Sequence, residues 1–235
     1  MRKLNAASLK YALPLLLAGA GVFFSGCDFQ FGTPQERMFK AAKNDYTRNM
    51  RKLLDSGIDP DITDAAGWTP LMWAAAKDNT ETLTLLLSRG ARIEARNSKG
   101  ETPLHIAARW SRLDTVRFLI SNGARTETTD RLGWTPLMWA ALQGRTEVVS
   151  ELANGGASIE FRDSNGSTPL MMAARRGRTA TAQKLIELGA NPYRTNSSGS
   201  TAAQVAKLSG YTELADLLEG IRPPDSAAGR KGKRK

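Results

Sequence analysis

The stretch GWTPLMWAA occupies residues 67–75, and the same nine letters return at residues 133–141. Related stretches stand between and after them at a constant step of 33 residues: GETPLHIAA at 100–108, GSTPLMMAA at 166–174 and GSTAAQVAK at 199–207. One step before Thr69 lies Glu36, which begins the related stretch ERMFKAAKN at 36–44. A fixed period of this size is typical of a solenoid, in which each unit buries its apolar face against its neighbours. The sequence therefore predicts six stacked units over residues 36–221.

Within one unit the residues predict two helices. A Thr before a Pro favours a helix start, because the Thr hydroxyl can accept from a free backbone N–H and the Pro lacks only an N–H that would be unpaired there. The Ala-Ala pair that follows leaves room for close helix packing, and Leu83, Leu86 and Leu87 form the apolar stripe of a second helix. A Gly then stops each second helix, at Gly90, Gly123, Gly156 and Gly189. Short extended stretches such as RIEARN are expected to lead to an Asp or Asn three residues before the next Gly, which is typical of a turn.

This recurring D-x-x-G-x-T-P-L-h-x-A-A pattern, with its step of 33 residues and its Gly-Ala after the second helix, resembles the ankyrin repeat. The resemblance implies an all-α solenoid of about six 33-residue helix-turn-helix units, with β-hairpin-like loops and a concave face. The outermost units are interpreted as polar caps, because Lys207 replaces the second Ala of the last unit and the first unit is rich in Lys and Arg.

Residues 1–26 have a different character from the repeats. Three basic residues precede an apolar run at residues 12–24, and no acidic residue occurs among them. The run is too short to span a bilayer comfortably and contains Pro14, so a secretory signal peptide is favoured over a transmembrane helix.

Cys27 follows this segment in the sequence Phe-Ser-Gly-Cys, which resembles the bacterial lipobox. The resemblance implies that Cys27 is lipidated and becomes the new N-terminus, with residues 27–35 as a tether. Cys27 is the one cysteine of the chain, so no internal disulfide can form, and an ordinary thiol is the alternative interpretation. We expect a lipid anchor facing the periplasm, since several acyl chains anchor a protein stably. Asp28 favours the inner over the outer membrane, because it resembles an inner-membrane retention signal.

The formal charge of +10 is concentrated at the two ends of the chain. Without the signal segment and the last six residues, 25 basic residues face 23 acidic ones, so the repeats are nearly neutral and we expect no nucleic-acid binding. Residues 222–235 are expected to be a disordered basic tail. This tail either keeps the protein soluble or contacts anionic lipid headgroups near the anchor.

No catalytic constellation is found in the sequence. The phosphate-binding, zinc-protease, hydrolase and C-x-x-C motifs are missing, and His105 is the one histidine of the chain. In the ankyrin family a His at this position supports hydrogen bonding at the helix start, so His105 is interpreted as structural. We therefore expect no enzyme, no cofactor and no metal.

The resemblance places partner contacts at the hairpin tips and on the exposed side of the first helices. Trp and Arg dominate the binding energy of many interfaces, which favours an aromatic and basic groove for an acidic or mixed partner surface. The predicted partner-binding residues are Trp68, Lys77, Lys99, Arg109, Trp110, Arg131, Trp134, Arg175 and Arg176. Trp110 has no counterpart in the other units, whereas Trp68 and Trp134 could instead cover the neighbouring hairpins, and Arg175 and Arg176 could be a solvated edge. Trp73 and Trp139 are expected in the core.

The function predicted from these features is a membrane-anchored, monomeric protein that binds another protein in the periplasm. It would serve as a scaffold or protector of a periplasmic enzyme. The alternatives are an immunity-type protein that occludes an exported toxin, and an ankyrin effector that acts in a host cell. An enzyme with an unfamiliar site is the remaining class.

Overall fold

A computed structural model describes residues 32–221, so the predicted signal peptide, Cys27 and the basic tail lie outside the described residues. The described part contains twelve helices: α1 Pro34–Asn44, α2 Thr47–Asp55, α3 Pro70–Lys77, α4 Thr80–Ser88, α5 Pro103–Arg109, α6 Leu113–Ser121, α7 Pro136–Gln143, α8 Thr146–Asn154, α9 Pro169–Arg175, α10 Thr179–Glu187, α11 Ala202–Leu208 and α12 Thr212–Glu219. Successive pairs form units 1 to 6, and no strand occurs in residues 32–221. The predicted all-α solenoid is therefore confirmed. None of these helices has the length and apolarity needed to cross a membrane.

The first helix of each unit begins as the sequence predicts. In α3 the backbone N–H of Met72 donates to the Thr69 hydroxyl at 3.3 Å, and Pro70 stands at the first helical position. Unit 1 uses a Thr-Pro pair that lies three residues earlier in the repeat. Thr33 caps α1 and exchanges hydrogen bonds with Glu36, so the predicted domain boundary at residue 36 lies inside this helix.

The core runs through the stack between the two helices of every unit. Each Ala-Ala pair from unit 1 to unit 5 is fully buried, and so are Leu83 and Leu86 of α4 and Val116 and Leu119 of α6. Small side chains let neighbouring first helices approach closely, while the larger ones fill the space toward the second helices. Lys207 of the last unit is exposed, in accord with its place where no further unit packs.

Each hairpin loop is closed by an Asp or Asn side chain. Asp64 Oδ1 accepts from the backbone N–H groups of Ala66 and Trp68, both at 2.9 Å, and the Asp64 N–H donates to the Trp68 carbonyl. Gly67 takes a φ of +75°, and a Cβ there would lie 2.9 Å from the Ser98 nitrogen of the next hairpin. Only Gly permits both this conformation and this close approach. The Ser98 N–H donates in turn to the Ala66 carbonyl at 3.1 Å, which links adjacent hairpins.

The segments that precede the hairpins are turned, which corrects the expectation of extended stretches. In RIEARN the Ala95 N–H donates to the Arg92 carbonyl at 3.1 Å. The turn directs the Glu94 carboxylate to the backbone N–H of Arg125, one unit further on, at 2.8 Å. Equivalent bonds recur along the stack, and the carboxylate acceptors are Asp61, Glu94, Glu127 and Glu160. This ladder of four carboxylates links successive units along the stack.

A second ladder caps the first helices across unit borders. The Arg112 side chain donates to the Ala76 carbonyl at the end of α3, at 2.8 Å, and Arg145 and Arg178 reach the ends of α5 and α7 in the same way. A cation at a helix C-terminus satisfies a free carbonyl and complements the helix dipole. The first helices of neighbouring units also pack more closely than the second helices do. The stack therefore curves toward the first helices, and we call the surface formed by the first helices and hairpins the inner face.

Candidate interaction surface

The inner face of units 1 to 3 carries an aromatic cluster. The Trp68 ring lies 4.5 Å from that of Trp73 and 6.2 Å from that of Trp110, measured between ring centroids. Lys43 of unit 1 lies over the Trp73 ring, with its Nζ 3.8 Å from the ring centroid, which is a cation-π geometry. Trp110 is the most exposed member at 38%. The cluster therefore presents one open ring, Trp110, that is supported from beneath by two others.

The corresponding tryptophans of unit 4 are held by hydrogen bonds. The Trp139 indole N–H donates to Asp130 Oδ2 at 2.8 Å, as that of Trp73 does to Asp64 in unit 2. The Trp134 indole N–H reaches the next unit and donates to Asp163 Oδ2 at 3.1 Å. These bonds fix the rings as covers of the hairpins. Trp73 and Trp139 are half-buried and pack against the core, in accord with the expectation, while the Asp at each turn holds the indole N–H at the inner face.

Unit 3 has a polar network where units 2 and 4 have tryptophans. Glu101, 2% exposed at its side chain, pairs with Arg109 at 2.7 Å and accepts from the Asn97 amide at 2.7 Å. The Arg109 side chain is itself only 17% exposed, and its guanidinium carbon lies 5.1 Å from the Trp139 ring centroid. Arg109 is thus held by internal contacts: Glu101 lies before the start of the same helix, and Trp139 lies in the next unit.

The remaining predicted residues are exposed on the structure. Lys77 ends α3, Arg175 ends α9, and Arg176 follows it, while Lys99 and Arg131 stand at hairpin tips. The Arg131 N–H donates to the Lys99 carbonyl at 3.0 Å, so these two tips are adjacent. The structure therefore brings Lys99 and Arg131 together and Trp68 and Trp110 together. Arg175 and Arg176 lie in unit 5, two units beyond Trp110.

Exposed apolar side chains extend this surface beyond the predicted residues. Leu132 beside Arg131 is 56% exposed, and Leu208 at the end of α11 is 82% exposed. Both occupy positions that vary from unit to unit, the hairpin tip and the last turn of the first helix. This variation between units was the signal by which the sequence could have placed Leu132 and Leu208 among the predicted binding residues.

His105 joins units 3 and 4, in agreement with its structural interpretation. Its Nδ1 accepts from the Thr102 backbone N–H at 3.2 Å, and its Nε2 lies 3.0 Å from the Trp134 carbonyl and donates to it. Burial lowers the pKa of His105 below its ordinary value of 6.5, because the charged imidazolium would lose its water. The neutral ring therefore serves as a link between the two units.

The comparison with known families decides what this stack is. A family model described as ankyrin repeats (3 copies) matches residues 38–130 and 122–196, which together make up more than half of the chain. The chain is an ankyrin-repeat protein. Ankyrin repeats form a scaffold for protein-protein interaction and are typically non-enzymatic, so the inner face of this ankyrin-repeat protein is its candidate binding surface. A search among curated proteins finds no significant match.

Proposed function

We propose that this ankyrin-repeat protein is exported, anchored by a lipid on Cys27, and binds another protein through its inner face. The segment at residues 1–26 supports export, since it has basic residues before a short apolar run. The lipobox-like sequence before the one cysteine supports lipidation. The role we favour is a scaffold or protector of an enzyme in the periplasm, held at the inner membrane.

The observation that carries the binding proposal is the open ring of Trp110 on its aromatic support. Trp110 is 38% exposed and packs against Trp68, which in turn packs against Trp73. An indole fixed in this way loses little conformational freedom on binding, and Trp is enriched among the residues that dominate interface energy. Exposed cations at Lys77, at the end of α3, and at Lys99, on a hairpin tip, add positive charge to this face, so the partner surface is expected to carry carboxylates.

The experiment is a crosslinked pull-down from native membranes with the full chain. We compare the wild type with the double variant K77A/W110A and use R51A as the control, because Arg51 is an exposed cation on the second helix of unit 1. A partner captured by the wild type and by R51A but lost from K77A/W110A supports the proposal. A partner retained by K77A/W110A refutes the placement of binding on this cluster.

The identity of the captured protein separates the roles. A resident enzyme supports the scaffold or protector role, and an exported toxin supports the immunity role. The anchor is tested separately by metabolic labelling with palmitate. Label in the wild type and its loss from C27S support lipidation, whereas equal label in both refutes it.

A further inference from the structure

The inner face contains a motif that repeats every two units, or 66 residues. A cation in the last turn of a first helix stands over a residue of the next first helix. The three pairs are Lys43 over Trp73, Arg109 over Trp139, and Arg175 beside Val205. In the first two pairs an indole ring lies beneath the cation. In the third pair Val205 takes the place of the ring, so the cation of Arg175 has no aromatic beneath it.

The missing ring leaves a cavity between units 5 and 6. It has a volume of about 220 Å³ and is lined by Arg175, Val205, Ser167, Asn196 and Met172, among others. A cavity of about 150 Å³ is sufficient for a benzene ring, whereas sites for small-molecule ligands begin at about 300 Å³. The cavity therefore has the size of a single aromatic side chain.

The carboxylate that holds Arg109 in unit 3 also has no counterpart beside Arg175 among the described residues. In unit 3 Glu101 pairs with Arg109, and the equivalent residue in unit 5 is Ser167. No hydrogen bond, ion pair or ring contact of the Arg175 side chain occurs within residues 32–221. Arg175 therefore lacks both the ring and the acid that hold Arg109.

Asn196 indicates which group would be accepted in the cavity. Its Oδ1 is occupied by the backbone N–H groups of Ser198 and Ser200, at 3.0 Å each, so its Nδ2 remains as a donor. The equivalent Asp130 in unit 4 accepts the indole N–H of Trp139 instead. An amide donor at this position favours a carboxylate over an indole N–H, as the Asn97 amide does when it donates to Glu101.

We propose that the cavity between units 5 and 6 binds a phenylalanine or tyrosine side chain of the partner protein together with an adjacent carboxylate. The ring packs on Val205 beneath the Arg175 guanidinium, and the carboxylate accepts from Arg175 and from the Asn196 amide. The partner thereby supplies the two groups that units 3 and 4 supply to Arg109. This inference rests on the proposed function, because it specifies the partner of the same inner face.

The test uses the full chain in detergent and the peptide acetyl-Ser-Gly-Glu-Phe-Gly-Ser-amide. Binding is followed by NMR at the methyl groups of Val205 and the Nε–H of Arg175. The expected result is a saturable shift of both signals and an affinity about tenfold lower when the peptide Phe is replaced by Ala or its Glu by Gln. Equal affinity for the replaced peptides, or no shift at millimolar peptide, overturns the inference.

Variants of the cavity complete the test. V205W restores the internal ring and S167E restores the internal acid, so each is expected to weaken peptide binding about tenfold while the chain remains folded. K207A is the matched control, because Lys207 is an exposed cation on α11, the helix that carries Val205, and does not line the cavity. Unchanged binding by V205W overturns the inference.

The two proposals fail separately. A peptide that does not bind, beside a partner whose capture still depends on Trp110, removes the cavity inference and leaves the proposed function standing. Peptide binding at Arg175 with no dependence of capture on Trp110 removes the aromatic cluster as the binding site and leaves the cavity.

Discussion

The buried ion pair of unit 3 gives the sharpest test of how the inner face is held. Replacing Glu101 by Ser gives unit 3 the residue that unit 5 has at the equivalent position, Ser167. The change leaves the Arg109 guanidinium and the Asn97 amide without their acceptor. Removing one partner of a buried pair costs about 3–5 kcal/mol. The Arg109 side chain is 17% exposed and keeps its contact with Trp139, so water can relieve part of the loss. We expect E101S to lower the free energy of unfolding by about 3 kcal/mol.

The reverse variant, R109A, leaves a carboxylate that is only 2% exposed at its side chain and is expected to cost at least as much. The double variant E101S/R109A removes both charges, so its loss is expected to be smaller than the sum of the two single losses by about 1–3 kcal/mol. This difference is the coupling energy of the pair.

Urea unfolding followed by far-UV circular dichroism and by tryptophan fluorescence measures these losses. The two probes are compared because units of a repeat protein can unfold separately, and Trp139 reports on the neighbourhood of Arg109. Losses below about 1 kcal/mol for both single variants, with additive behaviour in the double variant, would refute the reasoning. The Arg109 guanidinium would then be available to a partner, as the sequence alone predicts.

Three further predictions concern links between units. As the pH falls from 6.5, H105Q is expected to lose less stability than the wild type, as measured by urea titrations at several pH values. The reason is that folding lowers the pKa of His105, so the unfolded wild-type chain takes up the proton more readily than the folded chain does. G177A is expected to destabilise the chain by about 1–3 kcal/mol more than G210A in calorimetry, since both glycines have positive φ but only at Gly177 would a Cβ meet the Tyr211 ring, at 2.4 Å. E127A is expected to cost about 1 kcal/mol in urea unfolding, because it removes one acceptor of the carboxylate ladder, and no loss would show that the ladder is not stabilising.

The placement of the helices could be predicted from the sequence because their signals are local. A Thr hydroxyl reaches an N–H three residues away, as Thr69 does, and the Gly90 backbone takes its φ of +85° irrespective of what packs around it. The stripe of Leu83 and Leu86 is likewise contained in one helix. Because the same local signals recur at a step of 33 residues, a few residue types were enough to predict the fold.

The state of the candidate site residues could not be predicted in this way. Trp134 and Arg109 look like surface residues in the sequence, but their partners Asp163 and Trp139 lie in the following unit. Whether such a side chain has a partner depends on a residue about one repeat further along, and for Arg109 also on Glu101 of its own unit, and these residues differ from unit to unit.

The sequence by itself therefore determined the number of units, their helices and turns, and the lipobox-like site at Cys27, which stays a prediction. Only the tertiary structure decided which cations and rings of the inner face have a partner within the chain. Arg109 contacts Glu101 and Trp139, whereas Arg175 has no equivalent contact in the part of the chain that the structure describes. The physical reason is the range of the interactions involved. Caps and turns are made within a few residues, whereas the contact of Arg109 with Trp139 and that of Trp134 with Asp163 form between units that the stacking brings together.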